Sequence, residues 1–426
     1  MELRDYQAPA LDAVRASYKH GHKSVVCVAP TGSGKSVMIG HVAKGAIKQG
    51  RRVVVIAHRT ELVDQLRRTL HLVTGDMVGT IAAGSFGARY PDARIQVASV
   101  QTLMSRGLPK ADLCILDEAH HYVADDWQSV RRVAPLHLGF TATPQRSDGR
   151  GLKAAFTSMV VVAQIPELIE RGYLCPVDVV APRKLLPAGT LAMDPADALR
   201  KHGHGKAVVF CRFVDDAVRL ADRVGGRVVH GAMGALERQQ NLQWFRATTN
   251  AVLCNVFVLT EGWDAPEVET CVLARGCSTV GTYLQMVGRV LRPAPGKERA
   301  TLIDLRGVVH SLGAPDEPRS WTLEGKGLKG TGDDNTALCP ICSGVLVDGC
   351  CDMCGHRSER AVQRIVNEPM VRYAKKRAES TYERAATLRR WQLEGRARGY
   401  RPGWAYAKYR AVYGHAPTEE VKRLAR

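Results

Sequence analysis

The sequence predicts an α/β protein in which two parallel-sheet lobes follow one another, and three observations support this. Short, continuous apolar runs recur through the first three quarters of the chain. They do not alternate with polar residues, which is typical of strands buried on both faces of a parallel sheet. Helix-like stretches such as 37–49 and 60–70 separate them, and strand alternating with helix favours α/β architecture. An aperiodic stretch at 176–195 divides the runs into two blocks.

The predicted strands and segments follow from these patterns. The strands of the first block are 25–28, 53–57, 95–98, 113–116 and 138–140, and those of the second are 207–210, 227–229, 251–254, 271–274 and 301–303. The predicted segments are a first lobe at 1–183, a second lobe at 184–312, a linker rich in Gly, Pro, Lys and Asp at 313–336, a cysteine-rich module at 337–356 and a basic helical tail at 357–426.

Charge and composition narrow the functional classes. The 426-residue chain has 60 Lys and Arg against 42 Asp and Glu, a formal net charge of +18. A pI near 9.5 is typical of a protein that binds polyanions, although a merely basic soluble protein has the same charge. No apolar run approaches the ~20 residues that a membrane span needs, and the N-terminus lacks the pattern of a secretory signal. We therefore expect a cytoplasmic protein without a membrane partner.

A phosphate-binding loop is predicted between the run 25–28 and a helix. Its residues are Ala29, Pro30, Thr31, Gly32, Ser33, Gly34, Lys35 and Ser36. The two glycines allow backbone N–H groups to curl around phosphate oxygens, and the helix N-terminus adds partial positive charge. Lys35 is predicted to reach the β- and γ-phosphates of ATP, and Ser36 to offer its hydroxyl to Mg²⁺. Ala29 stands where the usual pattern has Gly, which leaves the Lys35 and Ser36 roles intact.

An acidic motif follows the run 113–116. It consists of Asp117, Glu118, Ala119 and His120. Ligands bind at the carboxyl ends of parallel strands. Asp117 is therefore predicted to hold Mg²⁺, and Glu118 to orient and deprotonate an attacking water. A strand capped by solvated acids is the simpler interpretation, but the phosphate loop that precedes it favours catalysis.

Together and in order, these motifs resemble those of superfamily 2 helicases of the DEAD/DEAH-box type, over about residues 1–310. The resemblance implies two tandem RecA-like lobes that hydrolyse ATP. For lobe one it implies an adenine-reading segment at Arg4, Tyr6 and Gln7, nucleic-acid contacts at Arg59 and Thr102, and nucleotide coupling through His120, Thr141 and Thr143. An exposed basic residue and an ordinary helix cap are the simpler interpretations of Arg59 and Thr102.

The resemblance also assigns residues of lobe two. It implies nucleic-acid contacts at Arg212, His230 and Thr260, and an ATP-facing edge at Gly262, Asp264, Gln285, Arg289 and Arg292. The two arginines would reach the γ-phosphate only when the cleft closes, and such an arginine finger contributes ~10³–10⁵ in rate. Of the two, the resemblance favours Arg292 as the main finger. Contacts mainly to phosphates would make binding salt-sensitive and tolerant of sequence.

A cysteine cluster predicts a structural zinc site. Cys339 and Cys342 form one C-x-x-C pair, and Cys351 and Cys354 form a second one. Four thiolates make a closed tetrahedral Zn²⁺ site, and the metal would supply the folding energy that about 20 residues cannot. Unmetallated or redox-active thiols are the alternative. Five other cysteines sit in apolar runs, where cysteine is usually a small buried hydrophobe: Cys27, Cys114, Cys211, Cys254 and Cys271.

The basic tail is predicted to bind nucleic acid. Residues 357–426 contain 18 Lys and Arg and 7 Asp and Glu, interleaved with Tyr and Trp. Basic side chains can follow phosphates while aromatic rings stack on exposed bases. The alternative is that the aromatic residues form a small helical core and the charges its solvated face.

The core, the four-cysteine module and the tail together resemble RadD-type and phage-encoded DNA repair or recombination helicases. This implies ATP-driven movement on, or remodelling of, forked or branched DNA in a bacterial or phage-infected cell, with the protein nucleoid-associated when bound. A protein partner could bind through the zinc module. Three alternatives stay open: an RNA helicase, an ATP-switched DNA clamp that recruits a partner without unwinding, and the motor portion of a restriction complex.

Overall fold

A computed structural model describes most of the chain. The described residues are 1–57, 60–82, 90–106, 109–123, 130–146, 150–256, 258–259, 263–277, 279–325, 346–347, 350–351, 363–374, 381–401, 403–413 and 417–425. They form two compact units. The larger unit comprises Met1–Asp316 and Thr322–Tyr373, and the smaller comprises Glu317–Trp321 and Ala374–Arg426.

Lobe one is built on a parallel sheet. Its elements are α1 (Gln7–Lys19), β1 (Ser24–Val28), α2 (Lys35–Lys48), β2 (Val53–Ala57), α3 (Thr60–Thr74), β3 (Val78–Ile81), β4 (Ile95–Ser99), α4 (Val100–Arg106), β5 (Leu113–Asp117), β6 (Leu136–Thr141), β7 (Ser158–Val161) and α5 (Ile165–Glu170), with a 3₁₀ helix at Ala119–Val123. The strand order is β3-β4-β2-β5-β6-β1-β7, and every pairing is parallel.

Lobe two repeats the architecture. Its elements are β8 (Val177–Pro182), β9 (Thr190–Leu191), α6 (Pro195–His202), β10 (Lys206–Cys211), α7 (Val214–Val224), β11 (Arg227–His230), α8 (Ala235–Ala247), β12 (Val252–Val256), β13 (Val268–Ala274), α9 (Val280–Val287), β14 (Ala300–Asp304) and α10 (Val309–Leu312). The later elements are β15 (Leu346–Val347), β16 (Cys350–Cys351), β17 (Arg364–Ile365), β18 (Met370–Arg372), α11 (Thr381–Ala397), α12 (Trp404–Tyr413) and α13 (Glu419–Leu424). The main sheet of lobe two runs β11-β12-β10-β13-β14-β8-β18.

The predicted two-lobe α/β architecture is therefore confirmed. Strands β2 and β5 are buried along their whole length, as their unbroken apolar sequences require. Fully burying one Val, Leu or Ile side chain contributes roughly 1.5–3 kcal/mol to the free energy of folding, so each such strand strongly stabilises its sheet. The order β5-β6-β1 then brings three carboxyl ends together: the acidic motif after β5, Thr141 at the end of β6, and the phosphate loop after β1.

One strand lies in a different lobe from the one predicted. Residues 177–182, assigned to lobe one, form β8, which pairs in parallel with β14 of the second sheet. The second sheet therefore begins before residue 184. The stretch 176–195 contains four prolines and lacks clear periodicity, so the pattern did not predict a buried strand there.

The predicted linker and tail also need correction. Part of the linker, Thr322–Gly325, belongs to the larger unit, and Leu323 packs on the apolar core of lobe one. Part of the tail, predicted as helical, forms two strands: β17 pairs with β9, and β18 pairs antiparallel with β8 at the edge of the second sheet. A strand of three residues is too short to produce a readable period.

The smaller unit contains α11, α12 and α13 packed on a small core. The buried side chains of this core are Ala385, Leu388, Trp391, Ala405, Tyr409, Val421 and Ala425. Tyr400 and Tyr406 stay exposed, at 42% and 40%. Some aromatic residues of the tail thus form a helical core, as the simpler interpretation expected, while others face solvent.

The zinc prediction falls largely outside the described residues. Cys339, Cys342 and Cys354 are not among them, and only the backbone of Cys351 is. That backbone lies in β16, which pairs antiparallel with β15 as Leu346↔Cys351 and Val347↔Cys350. Within the described part of the chain, no helix has the length and apolar character to cross a membrane.

Asp194 offers a test of how the second lobe is stabilised. Its carboxylate caps α6 by accepting from the amides of Ala196 and Asp197, and it pairs with both Nη atoms of Arg223 at 2.8 and 2.9 Å. Asp194→Ala should cost about 1 kcal/mol in the free energy of unfolding at pH 7. Chemical denaturation measures this, with the exposed Asp222→Ala as the control that should change little.

The same variant should show a defined pH dependence. Burial alone would raise the pKa of Asp194, but Arg223 and the two amides outweigh it and lower that pKa. The stabilisation is therefore present above the ordinary carboxyl pKa of about 3.9 and is lost as pH falls through the lower folded-state value. A stability difference between wild type and Asp194→Ala that grows on acidification would contradict this assignment.

Candidate active site

The phosphate loop has the backbone that an anion cradle needs. It connects β1 to α2, and both of its glycines have positive φ, +85° at Gly32 and +77° at Gly34. A Cβ on Gly34 would lie 2.7 Å from the Gln7 Nε2 atom, so space as well as conformation requires glycine there. The buried Ser33 Oγ has no hydrogen-bond partner among the described residues. The loop therefore presents an unfilled polar atom beside a backbone curled for phosphate.

Lys35 and Glu118 meet at the base of this loop. The Lys35 Nζ atom lies 3.4 Å from Glu118 Oε1, and both side chains are nearly buried. Glu118 has φ +50°, a left-handed conformation that costs a non-glycine residue energy. Asp117 ends β5 and is 8% exposed, and Ser36 lies in the first turn of α2. Lys35, Ser36 and Asp117 thus lie at the ends of rigid elements, and Glu118 directly follows β5.

Magnesium fits this donor set. Mg²⁺ in nucleotide sites is usually held by one or two protein oxygens together with substrate phosphates, which is what Asp117 and Ser36 would provide. No group of three or more His, Cys, Asp or Glu side chains that could hold a metal by themselves occurs in the described part of the chain. The Mg²⁺ prediction therefore requires the nucleotide as a co-ligand.

A hydrogen-bonded chain connects Glu118 to lobe two. His120 Nδ1 lies 3.5 Å from Glu118 Oε2 and 3.0 Å from Thr141 Oγ1. The Thr141 hydroxyl donates to the carbonyl of Thr143 at 2.8 Å. Thr143 is buried against α9: a Cβ added to Gly281 would lie 2.9 Å from its Oγ1. The three predicted coupling residues therefore lie next to one another, and the last of them, Thr143, contacts α9 of lobe two.

One face of α9 lies against lobe one. Gly281, Gln285 and Gly288 are spaced by four and three residues, so they share a helix face. At its far end, a Cβ on Gly288 would lie 2.7 Å from the Cβ of Thr31 in the phosphate loop. Gln285, between them, is 7% exposed, and its Nε2 has no partner among the described residues. The Gln285 amide thus lies on the face of α9 that contacts lobe one, and its Nε2 has no acceptor in the described part of the chain.

The two candidate arginines have different surroundings. Arg289 is 6% exposed and donates to the carbonyl of Trp263 at 2.6 Å. Arg292 pairs with Asp264, and its Cγ lies 3.4 Å from where a Cβ on Gly32 would be. Its Nε has no partner in the described residues. The side chain that packs on the phosphate loop is therefore that of Arg292, and its role as the main finger stays a prediction.

Lys297, a buried lysine that the sequence analysis did not single out, holds the segment 289–292, which we call the arginine segment. Lys297 Nζ donates to the carbonyls of Pro266, Val268, Val290 and Arg292 at 2.5 to 2.9 Å. Burial lowers the pKa of Lys297 to about 8. Its charge holds the loop after Asp264 and the end of the arginine segment together. A basic residue in a Gly-Lys-Glu-Arg turn carries no signal of this role.

The residues predicted to read adenine contact the phosphate loop and one another, and their role toward adenine stays a prediction. Gln7 Nε2 donates to the Ser33 carbonyl at 2.7 Å, and its Oε1 accepts from the Arg4 amide at 2.9 Å. Tyr6 is buried and donates to the same Ser33 carbonyl, so it supports the loop. Arg4 instead lies over the ring of Tyr173, 4.6 Å from its centre.

Tyr173 is a further residue of this site that sequence reasoning missed. Its hydroxyl donates to Asp5 Oδ1 at 3.1 Å. Partial desolvation, followed by this hydrogen bond, raises the pKa of Tyr173. Because it lies more than 160 residues after Arg4 and outside every motif, only the fold brings the two together. Arg4 and Tyr173 are therefore in cation–π contact beside the phosphate loop.

The predicted nucleic-acid contacts are only partly described. Arg59, Thr260 and the ATP-edge residue Gly262 lie outside the described residues. Thr102 is 4% exposed and its hydroxyl accepts from Ser99, whose own Oγ caps α4 by accepting from the Thr102 amide. Arg212 follows β10 with its guanidinium 4.7 Å from the ring centre of Phe213, and His230 ends β11. Arg212 and His230 thus share the carboxyl edge of the second sheet.

Family models match both lobes. Residues 1–146 match the family described as Type III restriction enzyme, res subunit, and residues 192–294 match the helicase conserved C-terminal domain. The 51.5 kDa protein of a Lactococcus phage (isolate 7-9) is 30% identical over 367 residues, 77% of this chain and 76% of that protein.

Two further relatives have more specific names. The putative ATP-dependent helicase IRC3 of Saccharomyces cerevisiae is 28% identical over 74% of this chain and 53% of its own length, so the chain spans about half of it. The DNA 3'-5' translocase XPB2 of Sulfurisphaera tokodaii is 23% identical over 68% of this chain and 79% of its own length.

Solved structures share the two-lobe fold. The Type ISP restriction-modification enzyme LlaBIII bound to DNA has a TM-score of 0.55 at 16% identity, covering 71% of this chain and 28% of that chain. Dbp5 of S. cerevisiae bound to RNA and ADP BeF3 has a TM-score of 0.52 at 16% identity, covering 73% of this chain and 90% of that chain. At this level of identity the likeness concerns the fold alone.

Replacing Glu118 by Gln should separate ATP binding from hydrolysis. The variant loses the carboxylate that would deprotonate water, so kcat should fall about 10²–10⁴-fold. ATP affinity should be kept or increase, because Lys35 no longer has a carboxylate partner. Nucleotide binding and steady-state turnover measure the two effects, with exposed Glu170→Gln as the matched control. A turnover rate equal to that of the control would remove Glu118 from its role.

Replacing Arg292 by Ala should lower kcat by about 10³-fold or more while the KM for ATP changes little, because a finger acts on transition-state charge. Arg292→Lys should rescue only part of the loss, since an ammonium lacks the planar fork. Exposed Arg219→Ala is the control. Equal losses in kcat and in ATP affinity would mean that Arg292 simply binds ATP.

Proposed function

The chain belongs to superfamily 2 of the helicases, enzymes that hydrolyse ATP, and we propose that it uses this hydrolysis to move along or remodel DNA. The observation that carries the proposal is the contact between the two lobes at the phosphate loop. Lys35 and Glu118 stand on one side, and Gln285 and Arg292 come from the other. ATP bound by residues of both lobes is the physical requirement for converting hydrolysis into lobe movement.

The polar atoms left without partners fit a triphosphate. Ser33 Oγ, Gln285 Nε2 and Arg292 Nε are buried and have no hydrogen-bond partner among the described residues. Leaving a buried donor unsatisfied costs about 1–3 kcal/mol, so three such atoms around one loop favour a polar ligand. Their grouping around glycines with positive φ supports phosphate rather than an apolar ligand.

The proposed reaction begins with an exchange of ion pairs. Lys35 is paired with Glu118, and a γ-phosphate, with more charge than a carboxylate, would replace Glu118 as its partner. The freed Glu118 carboxylate can then accept a proton from water as that water attacks phosphorus. Mg²⁺, held by Asp117 and Ser36, would neutralise charge on the phosphate oxygens. Arg292 would stabilise the charge that develops as the bond to the β-phosphate breaks.

Coupling to nucleic acid would use the chain from Glu118 to Gly281. Loss of the γ-phosphate would change what Glu118 contacts, and the His120–Thr141–Thr143 hydrogen bonds end at Thr143, which packs on Gly281 of α9 in lobe two. A shift of α9 would move the carboxyl edge of the second sheet, where Arg212 and His230 lie. Repeated closure and opening would then step the lobes along a strand.

DNA is the proposed substrate. The net charge of +18 suits any nucleic acid. The relationship to a protein named as a DNA translocase, and the sequence resemblance to DNA repair helicases, favour DNA over RNA. Forks and branched repair intermediates are the proposed working substrates. An RNA helicase is the competing function, since the same fold occurs in Dbp5 bound to RNA.

Steady-state ATP turnover with single-stranded DNA, duplex DNA, forked DNA or RNA, all at one salt concentration, tests this proposal. We expect strong stimulation by DNA, greatest with the working substrate, and stimulation that weakens as salt rises. Stimulation by RNA alone would replace DNA by RNA as substrate. Turnover indifferent to every nucleic acid would contradict the motor and leave an ATP switch.

The smaller unit is proposed to be an accessory nucleic-acid-binding module. Tyr400 and Trp404 lie 4.7 Å apart between ring centres, and Tyr400 is 42% exposed. Lys408 lies over the rings of both Trp391 and Trp404, at 5.2 and 4.5 Å. Exposed rings beside cationic side chains form a surface on which unpaired bases can stack, each contributing about 1–3 kcal/mol.

The four cysteines of the module at 337–356 are proposed to bind one Zn²⁺. The donor set of four thiolates suits a closed structural site, and β16, which contains Cys351 of the second C-x-x-C pair, is paired with β15. A protein partner would bind through this module.

Metal analysis of the purified full chain tests the zinc site. We expect about one Zn²⁺ per chain, lost in Cys351→Ser because one thiolate of the tetrahedron is removed. Cys277→Ser, at a buried cysteine of lobe two outside the two C-x-x-C pairs, should keep the metal. A soluble wild-type protein without zinc would overturn the site.

A further inference from the structure

Four residues of the predicted linker, Thr322–Gly325, lie on lobe one, and we call them the anchor. The Gly151 amide donates to the carbonyl of Glu324 at 3.2 Å, and the Lys153 amide donates to the carbonyl of Leu323 at 3.0 Å. The Leu323 side chain packs on the core cluster that contains Leu152 and Phe156. The anchor is therefore held by backbone and side chain together.

Two glycines allow this contact. A Cβ on Gly151 would overlap the backbone of Leu323, Glu324 and Gly325, and a Cβ on Gly325 would overlap the backbone of Gly151. Gly325 also has φ +76°. The Lys153–Glu324 ion pair is exposed at both ends, 71% and 62%, so it contributes little. The specificity of the anchor comes from the close approach of two backbones.

The anchor contacts one end of a segment that begins just after residues 141–143, which we call the coupling segment. Gln145 and Gly151 form an antiparallel bridge, and the Arg146 amide donates to the Arg150 carbonyl at 2.8 Å. These pairs join residues 145–146 to residues 150–151. Only Pro144 separates Thr143 from Gln145. Thr143, in turn, contacts α9 of lobe two at Gly281. The coupling segment is thus fixed on one side by α9 and on the other by the anchor.

The chain connects this anchor directly to the smaller unit. That unit includes Glu317–Trp321, and Thr322 follows without an intervening residue. Glu317 also follows Asp316 of the larger unit directly, and Ala374 follows Tyr373, whose amide donates to Val179 in β8 of lobe two. The smaller unit is therefore continuous with the larger unit at three points of the chain, 316/317, 321/322 and 373/374.

We propose that the anchor is a positioning element for ATP turnover: by holding Gly151 and Lys153, and through them the paired residues 145–146 and 150–151, it keeps Thr143 against Gly281. The proposal rests on the proposed ATPase cycle but not on which nucleic acid stimulates it. It assigns Gly151, Leu323 and Gly325 a role in kcat, although none of them approaches the phosphate loop in any described contact.

Gly325→Ala is the direct test, and Gly75→Ala is its matched control. Both glycines have nearly the same φ, +76° and +77°, but a Cβ on Gly75 meets nothing within 4 Å. Both variants carry the same left-handed strain, and only Gly325→Ala disturbs the anchor. Gly325→Ala should lower kcat about fivefold or more, the lower end of typical coupling between sites, with the KM for ATP nearly unchanged.

Hydrogen exchange in the full chain checks that the substitution acts where intended. The amides of Gly151 and Lys153 should exchange faster in Gly325→Ala than in Gly75→Ala, because their acceptors are displaced. Leu323→Ala, which keeps the backbone, provides a second variant if Gly325→Ala fails to fold. It should show the same fall in kcat without a change in KM.

The outcomes separate this proposal from the proposed function. A kcat equal to that of the control, with the two amides deprotected, would overturn the positioning role. So would a wild-type kcat in Leu323→Ala. If no nucleic acid stimulates the wild type, the DNA motor fails, and the anchor is judged on unstimulated kcat by the same comparison. A parallel loss of kcat and ATP affinity would indicate general misfolding and would also contradict the proposal.

Discussion

The approach of helix α9 to the phosphate loop is the constraint on which the rest of the site depends. Gly281 and Gly288 leave no room for a side chain between α9 and Thr143 or Thr31. This closeness places Arg292 against Gly32 and directs Gln285 into the cleft. A larger residue at either glycine would separate the lobes and move Arg292 away from the phosphate loop. Helix packing therefore sets the catalytic geometry.

Rigid supports on each side maintain that geometry. In lobe one, the parallel sheet fixes the ends of β5, β6 and β1 side by side, so Glu118 keeps its left-handed backbone despite the cost. In lobe two, Lys297 binds four carbonyls around the arginine segment. A buried cation with several acceptors is expensive to desolvate but strongly directional. Each lobe therefore has an energetically costly feature beside the site: the left-handed backbone of Glu118 in lobe one and the buried charge of Lys297 in lobe two. Each feature holds nearby functional groups in place.

Sequence patterns predicted the sheets well because buried parallel strands are continuous apolar runs. Nine of the ten predicted runs lie wholly within strands of the structure, and 251–254 extends one residue beyond β12. Strand β3, with the sequence Val-Gly-Thr-Ile, and the three-residue β18 carry too few apolar residues to be recognised. The motifs located Lys35, Glu118 and Arg292 because their chemistry requires fixed local spacing. Tyr173, Lys297 and the anchor were missed because each acts across a long separation in sequence, which only packing reveals.

Hydrogen exchange of the full chain with and without a non-hydrolysable ATP analogue tests the central claim, that one nucleotide is bound by both lobes. Bound ligand protects the backbone that it contacts or immobilises. The account predicts slower exchange in two separate segments, residues 29–36 of lobe one and residues 285–292 of lobe two. Protection confined to 29–36, with 285–292 unchanged, would show that lobe two takes no part in holding ATP and would contradict the account.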